Sequence, residues 1–322
     1  MTTKALLVAT GPVTESTIRL LSDVAQIVIA PDNTEQTLLE FAPQAEGFIV
    51  RGDSRLTDAV IEAAPRLKLI ARSGVGVDGV DVDTATHHQI PVIIVPEAGV
   101  DAVAEGTFAM LLSLVKSLPQ LDAAMRSGNW DAREQIPRGD MMGATIGLVG
   151  LGRIGHRVAE LGLAFGMDIV ATDPAVDGVA MSAVGVDKVR LDELFARSQY
   201  ISLHAPLQPE TRGMITSDLL QTAGPGAFLV NLSRGGLLES LDALKAALDT
   251  GTLAGAALDV FDPEPPDLGH PIFSHPRVLV APHALGLTTL SRQRIFEDMS
   301  QSILAVLRGE RPEVVANPEV YQ

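Results

Sequence analysis

The chain has 322 residues, no cysteine and a formal net charge of −16 at pH 7. This length suggests two domains of ordinary size, and the absence of cysteine excludes disulfides, thiol catalysis and cysteine-ligated metal. The acidic balance, without any Lys/Arg block, argues against nucleic acid and anionic membranes as partners. Because no apolar segment reaches membrane-spanning length, and Gly11-Pro12 stop the short apolar run at the N-terminus, we expect a cytoplasmic protein.

Short apolar runs alternate with amphipathic stretches over the first hundred residues. Runs 5–9, 26–30, 47–51, 67–72 and 91–95 predict strands. Between them, stretches 14–21, 35–41, 57–63 and 81–88 have the mixed composition of short helices. Strands that alternate with helices predict a doubly wound parallel sheet, so we expect an α/β domain here.

The next segment, 101–118, is a long and nearly uncharged predicted helix. Because it is too apolar for an open surface, we expect it to run between domains or into a partner subunit. Leu118-Pro119 are predicted to break this helix, and a second helix follows as far as Ser127. The single tryptophan, Trp130, comes next and either fills a domain junction or lies at a dimer interface or active-site rim.

A glycine-rich turn lies between the next predicted strand, 144–149, and the next predicted helix, 153–165. Its sequence is Gly150-Leu151-Gly152-Arg153-Ile154-Gly155, which has the G-x-G-x-x-G spacing of a dinucleotide-binding turn. Gly150 permits the tight turn, Gly152 lets the backbone approach a pyrophosphate, and Gly155 lets helix and strand pack closely. The helix that begins at Arg153 and Ile154 offers free N–H groups and a partial positive charge to that pyrophosphate.

An acidic residue stands at the expected distance from this turn. Segment 168–172 predicts a strand, and Asp173 follows it, about twenty residues after the glycines. A carboxylate there can accept hydrogen bonds from both ribose hydroxyls of NAD and would repel the additional phosphate of NADP. Three glycines placed by chance would account for neither the strand, the helix nor Asp173, so we predict an NAD site.

The alternating pattern continues after Asp173 and predicts the rest of a second parallel sheet. Predicted strands 200–204, 227–232, 253–259 and 278–281 alternate with predicted helices 191–197, 217–222 and 237–249. These strands end on polar or charged residues, namely His204, Ser233-Arg234, Asp259 and His283. Since ligands of open parallel sheets bind beyond the carboxyl ends of the strands, we expect these side chains to converge near the nicotinamide. A last predicted helix, 291–307, returns to the first domain.

Five segments stand in an order and at a spacing typical of one family. They are Arg72-Ser73-Gly74-Val75-Gly76-Val77-Asp78, Gly150 to Gly155, Asn231-Leu232-Ser233-Arg234-Gly235-Gly236, Asp259-Val260-Phe261-Asp262-Pro263-Glu264-Pro265 and Pro282-His283-Ala284-Leu285-Gly286. Together they resemble the D-2-hydroxyacid dehydrogenases, and especially the phosphoglycerate dehydrogenase-like branch. The resemblance implies two doubly wound, Rossmann-like α/β domains, with a substrate domain (1–98 and 289–322) split around an NAD-binding domain (99–288). It also implies a homodimer built through the NAD-binding domains, and a cleft between the two domains.

Three residues match the family's catalytic positions and have the chemistry that reduction of a 2-keto acid requires. His283 suits the general acid because an imidazole titrates near pH ~6.5 and can transfer a proton at cellular pH. Glu264 would hold the ring and favour its protonated form, and Arg234 would bind carboxylate and carbonyl oxygens through its planar fork. Taken singly, Arg234 could be a phosphate or cap ligand, Glu264 a solvated turn residue and His283 a satisfied histidine at a strand end.

Further contacts with cofactor and substrate are expected. The resemblance implies that NAD also contacts His204-Ala205-Pro206, Leu232-Ser233, His283 and Gly286, with Asp259 as the partner of the nicotinamide carboxamide. The turn Ser73-Gly74-Val75-Gly76 is suited to present backbone N–H groups to a carboxylate, although it could be an ordinary strand-to-helix turn. Arg51 would add positive charge to the same cleft. We predict no metal site.

Two departures from the family pattern bear on the substrate. Gly52-Asp53 follow Arg51, and Asp53 would oppose a phosphate, although Arg55 could still help. Gly99-Val100 stand where the family usually has Asn followed by Ser or Thr. We therefore expect a small D-2-hydroxy acid of the phosphoglycerate, hydroxypyruvate or glyoxylate type. The alternative is an NAD-sensing, corepressor-like binding protein with the same fold and little turnover.

Overall fold

The computed structural model describes residues 4–322, which form two units. The first unit consists of the chain up to Gly99 together with Thr288–Gln322, and the second consists of Val100–Leu287. The predicted boundaries, after residues 98 and 288, each lie one residue from these. The first unit therefore contains segments from both ends of the chain.

Strands and helices alternate along most of the chain. The strands are β1 Ala5–Ala9, β2 Ala25–Ile29, β3 Gly47–Val50, β4 Leu69–Arg72, β5 Val92–Ile93, β6 Thr145–Val149, β7 Asp168–Thr172, β8 Val186–Lys188, β9 Tyr200–Leu203, β10 Ala227–Asn231, β11 Leu253–Leu258 and β12 Val278–Val280. The helices are α1 Glu15–Leu21, α2 Glu35–Phe41, α3 Asp58–Glu62, α4 Val82–His87, α5 Val100–Val115, α6 Leu118–Arg126, α7 Arg153–Ala164, α8 Gly178–Ala183, α9 Leu191–Arg197, α10 Ser217–Gln221, α11 Leu241–Asp249 and α12 Thr289–Leu307.

The first unit is built on a five-stranded parallel sheet in the order β2-β1-β3-β4-β5. Successive residues of β1 pack on opposite faces: Leu7 contributes to the core that contains Phe296 and Met299 of α12, whereas Val8 packs with Phe48 on the other side. Because side chains alternate across a strand, a sheet covered by helices on both faces needs apolar residues at nearly every position. This explains why β1 and β3 are continuous apolar runs in the sequence.

The second unit is built on a seven-stranded parallel sheet in the order β12-β11-β10-β9-β6-β7-β8. The chain starts this sheet at β6, adds β7 and β8 on one side, and then crosses to add β9 to β12 on the other. The strand order therefore reverses between β6 and β9. Ligands of such sheets bind beside the carboxyl ends of the strands at the reversal, so the loops after β6 and β9 flank the expected site. The predicted fold class, two doubly wound parallel-sheet α/β domains, is confirmed.

The break between α5 and α6 differs from the prediction. The first helix ends at Val115, and Ser117 adopts a left-handed conformation with a φ of 51°. Pro119 lies in the first turn of α6, where a residue without an N–H is tolerated because that N–H would have no partner within the helix. The proline therefore begins the second helix rather than ending the first.

Part of the apolar character of α5 is explained by packing within its own unit. Phe108, Leu111 and Val115 are buried against Ile146 and Leu148 of the central strand, so α5 covers the sheet of its own unit. That this helix runs between domains or into a partner subunit stays a prediction. The helix α8 and the edge strand β8 were not predicted at all, because both are short and β8 buries only its first residue.

Trp130 is not an interior residue of the second unit. It lies in a short 3-10 turn with 59% of its surface exposed, and the guanidinium of Arg133 lies 5.1 Å from the centre of its ring.

Within residues 4–322 no helix alone is long and apolar enough to cross a membrane; only α5 and α6 taken together, across a 57° bend, have that length and composition.

Candidate active site

The glycine-rich turn after β6 leaves its backbone uncovered. Gly150 has a φ of 99°, and a Cβ atom on it would come 2.8 Å from the backbone of His204 and Ala205. A Cβ on Gly155 would come 2.3 Å from the carbonyl oxygen of Gly150, whereas one on Gly152 would meet nothing within 4 Å. The first and third glycines are thus required for packing, and the middle one keeps the backbone open at the N-terminus of α7. This geometry fits a pyrophosphate group.

Asp173, at the end of the neighbouring strand β7, holds this turn in place. Its Oδ2 accepts a hydrogen bond from the N–H of Leu151, and its Oδ1 accepts one from the N–H of Ala175, both at 2.8 Å. Each carboxylate oxygen can accept more than one hydrogen bond, so capacity for ribose hydroxyls remains. The sequence predicted the contact of Asp173 with the ribose hydroxyls but not its hydrogen bond to the glycine-rich turn.

His204 and Ala205 follow β9 on the other side of the turn. The Nε2 atom of His204 lies 2.8 Å from the hydroxyl oxygen of Ser202, and burial lowers the pKa of His204 to about 4. The ring is therefore neutral at cellular pH and cannot serve as a proton donor of ordinary strength. The carbonyl oxygen of Ala205 accepts a hydrogen bond of 2.6 Å from the hydroxyl of Ser233, which ties the ends of β9 and β10 together.

Arg234 lies on a turn that a buried asparagine organises. Asn231 is the last residue of β10 and is 0% exposed. Its side-chain oxygen accepts a hydrogen bond from the N–H of Ser233, and its Nδ2 donates to the carbonyl oxygen of Arg234. Asn231 was not predicted to have a role, although its place at the end of a strand beside Arg234 could have indicated one.

Glu264 and His283 form a direct pair. The Nδ1 atom of His283 lies 2.7 Å from Oε2 of Glu264, and Oε1 of Glu264 accepts a hydrogen bond from the N–H of Phe261. Burial alone would raise the pKa of Glu264. The hydrogen bonds from His283 and Phe261, with the positive charges of His283 and Arg234, outweigh burial, and the pKa of Glu264 lies below its ordinary value. The carboxylate therefore stays ionised beside the ring.

Asp259 fixes the loop that carries His283 through hydrogen bonds. His283 has a φ of 51°, a left-handed conformation that is unusual for any residue other than glycine. The next two residues, Ala284 and Leu285, donate their N–H groups to the two carboxylate oxygens of Asp259 at 2.9 and 3.1 Å. Asp259 is 2% exposed, and burial raises its pKa against the opposing effect of these hydrogen bonds. Its observed partners are thus the loop amides.

The carboxylate of Asp262, two residues before Glu264, pairs with an arginine. Asp262 Oδ2 lies 2.6 Å from Nη1 of Arg212, and a Cβ on Gly236 would come 2.8 Å from that oxygen. This ion pair connects the segment that bears Glu264 with the loop after β9 and with the turn after Arg234. Arg212 was not predicted to have a role, because nothing in its local sequence marks it.

The glycine-rich turn of the first unit, Ser73 to Gly76, has both used and unused N–H groups. The N–H of Ser73 donates to the carbonyl oxygen of Val50, so it is not available to a ligand. Within residues 4–322 the N–H groups of Gly74, Val75 and Gly76 donate to no protein acceptor. The turn therefore offers three N–H groups rather than four to a carboxylate.

Arg72 stabilises this turn through hydrogen bonds to backbone carbonyl oxygens. Its Nε donates to the carbonyl oxygen of Gly76 at 2.9 Å, and its Nη2 donates to that of Gly52 at 2.7 Å. Its Nη1 donates to the carbonyl oxygen of Val50 at 3.3 Å. Arg72 was quoted only as part of a motif, and its function as a brace between two loops was not predicted.

The other predicted residues lie where their strands place them. Arg51 follows β3, with its guanidinium over the ring of Phe296. Asp53, which was predicted to oppose a phosphate, accepts a hydrogen bond from Asn33 at 3.1 Å. The predicted cofactor contacts Arg153, Ile154, Pro206, Leu232 and Gly286 all belong to the second unit, and Arg51 and Ser73 to Gly76 all belong to the first. Among residues 4–322 no group of three or more His, Asp or Glu side chains is placed to bind a metal ion.

The turn, the acidic residue after β7 and the strand reversal together define a dinucleotide-binding unit. Residues 108–284 match the sequence model described as the NAD-binding domain of D-isomer specific 2-hydroxyacid dehydrogenases. The chain belongs to the D-isomer specific 2-hydroxyacid dehydrogenase family. The predicted family and the predicted cofactor, NAD, are confirmed.

Individual relatives support the same assignment. The chain is 37% identical over 318 residues to D-3-phosphoglycerate dehydrogenase of Methanocaldococcus jannaschii, which corresponds to 98% of this chain but only 60% of that protein. Among solved structures, the TT0316 protein of Thermus thermophilus is 33% identical, with a TM-score of 0.88 and coverage of 97% of this chain and 99% of that one. A D-lactate dehydrogenase of Aquifex aeolicus, solved with NAD and lactic acid, is 30% identical, with a TM-score of 0.87 and coverage of 95% and 96%.

Proposed function

We propose that the protein is an NAD-dependent oxidoreductase that interconverts a small D-2-hydroxy acid and the corresponding 2-keto acid. The observation that carries the proposal is the contact of 2.7 Å between His283 and Glu264, on a unit that belongs to the family's NAD-binding domain. Family membership and the similarity to a D-3-phosphoglycerate dehydrogenase and a D-lactate dehydrogenase support it.

His283 is the proposed general acid and base. Its Nδ1 is held by Glu264, which leaves Nε2 to exchange a proton with the substrate oxygen, and half of the His283 side chain, 51%, is exposed. NAD, when bound, supplies or accepts the hydride at the substrate carbon. In the direction of reduction the C=O π bond breaks while one C–H and one O–H bond form, and the O–H proton comes from His283. The ionised Glu264 stabilises the imidazolium before this transfer.

Arg234 and the turn of the first unit are the proposed anion binders. The planar guanidinium of Arg234 suits the carboxylate and carbonyl oxygens of a 2-keto acid. The unused N–H groups of Gly74, Val75 and Gly76 suit a substrate carboxylate, and Ser73 would contribute only through its hydroxyl. We retain Arg51 as a further substrate contact.

The remaining proposed contacts are with the cofactor. They comprise Gly150, Gly152, Arg153, Ile154, Gly155, Asp173, His204, Ala205, Pro206, Leu232, Ser233, Asp259, His283 and Gly286. The carboxylate of Asp173 would bind ribose hydroxyls and repel the phosphate of NADP, so we propose a preference for NAD. Phosphoglycerate, hydroxypyruvate and glyoxylate are the proposed types of substrate.

We further propose a cytoplasmic homodimer formed through the second unit. The second unit has exposed large apolar side chains at Leu118, Met125, Trp130 and Met142, which are suited to a partner surface. The lack of cysteine fits a reducing compartment. Light scattering in solution would give the oligomeric state, and a monomer at micromolar concentration would contradict this part of the proposal.

The test of the activity is NADH consumption with a panel of 2-keto acids. His283→Ala and Arg234→Ala should each lose most of the turnover, whereas His270→Ala should keep it. His270 is a matched control because it also pairs with a carboxylate, Asp242, at 3.2 Å in the same unit. Turnover that is undiminished in both active-site variants would contradict the assignment of these residues.

An NAD-sensing binding protein with little turnover is not favoured by the comparisons. It would be distinguished by tight binding of NADH without consumption of any keto acid. The same panel therefore separates the two hypotheses.

A further inference from the structure

A glycine lies in the middle of helix α5. Gly106 is one of the buried residues of this helix, which runs from Val100 to Val115. Glycine lowers the stability of a helix interior relative to alanine, because it loses more backbone entropy on folding. The backbone at Gly106 is helical and could be adopted by any residue, so the reason for a glycine must lie in its surroundings.

The surroundings of Gly106 leave no room for a Cβ atom. A Cβ on Gly106 would come 2.8 Å from Cβ of Leu285 and 3.1 Å from Cδ2 of Leu232. The Leu232 methyl can move by rotation of its side chain, whereas Cβ of Leu285 is bonded directly to the backbone and moves only with it. Three residues before Gly106, on the same face of α5, Cγ2 of Val103 would lie 3.0 Å from a Cβ on Gly286. The backbone of the loop after β12 therefore packs closely on α5.

The same loop is bonded to Asp259 and carries the proposed proton donor. The N–H groups of Ala284 and Leu285 donate to the two carboxylate oxygens of Asp259 at 2.9 and 3.1 Å. Two residues before Leu285, Nδ1 of His283 lies 2.7 Å from Oε2 of Glu264. Because only Ala284 separates them, a displacement of the Leu285 backbone also displaces His283.

A methyl group on Gly106 would displace this loop by about 1 Å. Carbon atoms in ordinary contact lie about 3.5–4.0 Å apart, so a new Cβ placed 2.8 Å from that of Leu285 must push it away by roughly this amount. The 2.7 Å contact between His283 and Glu264, lengthened as much, would no longer be a hydrogen bond. Misplacement of a reacting group by about 1 Å can lower a rate about a hundredfold.

We propose that Gly106 is a positioning residue for the proton transfer, because the lack of a side chain there lets the loop pack on α5 in the position from which His283 reaches Glu264. This inference rests on the proposed function. Gly106 acts through Leu285 and has no contact of its own with the substrate.

The test compares the wild type with Gly106→Ala, Leu285→Gly, the double variant of these two, and Gly178→Ala as a control. Gly178 also lies in a helix of the second unit, α8, and a Cβ there would meet only Cβ of Lys188, at an ordinary distance of 3.9 Å. Both glycine variants therefore add the same methyl group to a helix, but only one of them pushes against a loop.

We expect Gly106→Ala to lower kcat for keto-acid reduction about ten- to a hundredfold, while the Kd for NADH in a fluorescence titration changes by less than about threefold. The midpoint of thermal unfolding should stay close to that of the wild type, because alanine favours the helix and opposes the cost of the displaced loop. Gly178→Ala should resemble the wild type in all three measurements. A kcat of Gly106→Ala equal to that of Gly178→Ala would overturn the inference.

The double variant tests whether Leu285 transmits the effect. Leu285→Gly removes the Cβ atom against which the new methyl group would press, so adding Gly106→Ala in that background should cost less than about threefold in kcat. An undiminished loss in that background would overturn the inference. If Gly106→Ala fails to fold, a folded double variant would support the role of this contact, and a double variant that also fails to fold would overturn it.

Amide hydrogen exchange reports on the loop without any turnover. The N–H groups that donate to Asp259 are protected only while the loop keeps its position, so exchange of segment 283–286 should be at least about tenfold faster in Gly106→Ala than in the wild type or Gly178→Ala. Exchange of segment 103–115 should not change. Equal exchange of segment 283–286 in all three proteins would overturn the inference even if the enzyme is active. Faster exchange in a protein that reduces no keto acid would instead support the role of Gly106 in holding the loop and contradict the proposed dehydrogenase activity.

Discussion

Replacing Glu264 by Gln tests whether the contact with His283 contributes to catalysis. Glutamine has nearly the same shape, but its amide oxygen can replace only one of the two acceptors that Glu264 provides to Phe261 and His283. The side chains of Glu264 and His283 are 27% and 51% exposed, so the energy of a charge-assisted hydrogen bond, about 1.5–3 kcal/mol, is a better measure than that of a fully buried ion pair. We therefore expect kcat/KM for keto-acid reduction to fall about ten- to a hundredfold.

The assay is steady-state NADH oxidation at several pH values, with thermal unfolding measured in parallel. Asp262→Asn is the matched control, because Asp262 lies two residues away but pairs with Arg212 rather than with His283. Its exposed ion pair is worth about 0–1 kcal/mol, so the control should lose less than about fivefold. A Glu264→Gln enzyme as fast as the control would refute the reasoning, since the 2.7 Å contact would then contribute nothing to the reaction.

Three further predictions concern stability and the cofactor. The pKa of His204 is lowered from 6.5 to about 4, so the unfolded state takes up the proton first as the pH falls. This residue should therefore make the free energy of unfolding in urea about 2 kcal/mol lower at pH 5 than at pH 7. The loss should be absent in His204→Gln. Asp173→Ala removes the acceptor for the N–H of Leu151 and the proposed repulsion of NADP, so KM for NADH should rise about tenfold or more and NADH should lose its advantage over NADPH in kinetic assays. Asn317 is fully buried and bonds Val92, Thr86 and Ile90, so Asn317→Ala should lower the free energy of unfolding of the first unit by on the order of 3 kcal/mol in denaturant titrations.

The dinucleotide-binding turn could be predicted because every feature that defines it is local. The turn is defined by features that follow one another in the sequence: a buried strand, three glycines at fixed spacing, an amphipathic helix and Asp173. Each of them can be recognised from the periodicity or the composition of its own segment. The close approach of Gly150 to His204 follows once the two strands are neighbours in the sheet. The same local logic failed at Pro119, because a proline can either end a helix or begin one, and only the left-handed Ser117 decides between the two.

The contacts that fix the proposed catalytic side chains could not be predicted, because they join residues that lie far apart in sequence. The sequence placed Asp259 at a strand end, but it did not indicate that both carboxylate oxygens accept the N–H groups after His283. Arg212 and Asp262 meet only because the loops after β9 and β11 lie side by side. The contact of the Arg51 guanidinium with the ring of Phe296 likewise depends on the return of α12 to the first sheet.

These contacts share a physical pattern that bears on the proposed reaction. Asp173, Asn231 and Asp259 each end or follow a strand of the second unit, and each accepts backbone N–H groups from the loop that carries a proposed functional residue. A loop whose amides are already bonded to a buried side chain loses little further freedom when a ligand binds, so its geometry is set in advance. His283 illustrates the consequence: its left-handed backbone is unfavourable alone, and the two amides held by Asp259 keep the ring where Glu264 can reach it. Side chains at the ends of these strands therefore have two proposed functions, because they bind ligands and also fix the conformation of neighbouring loops. A substitution at Asp259 should consequently impair proton transfer as well as cofactor binding.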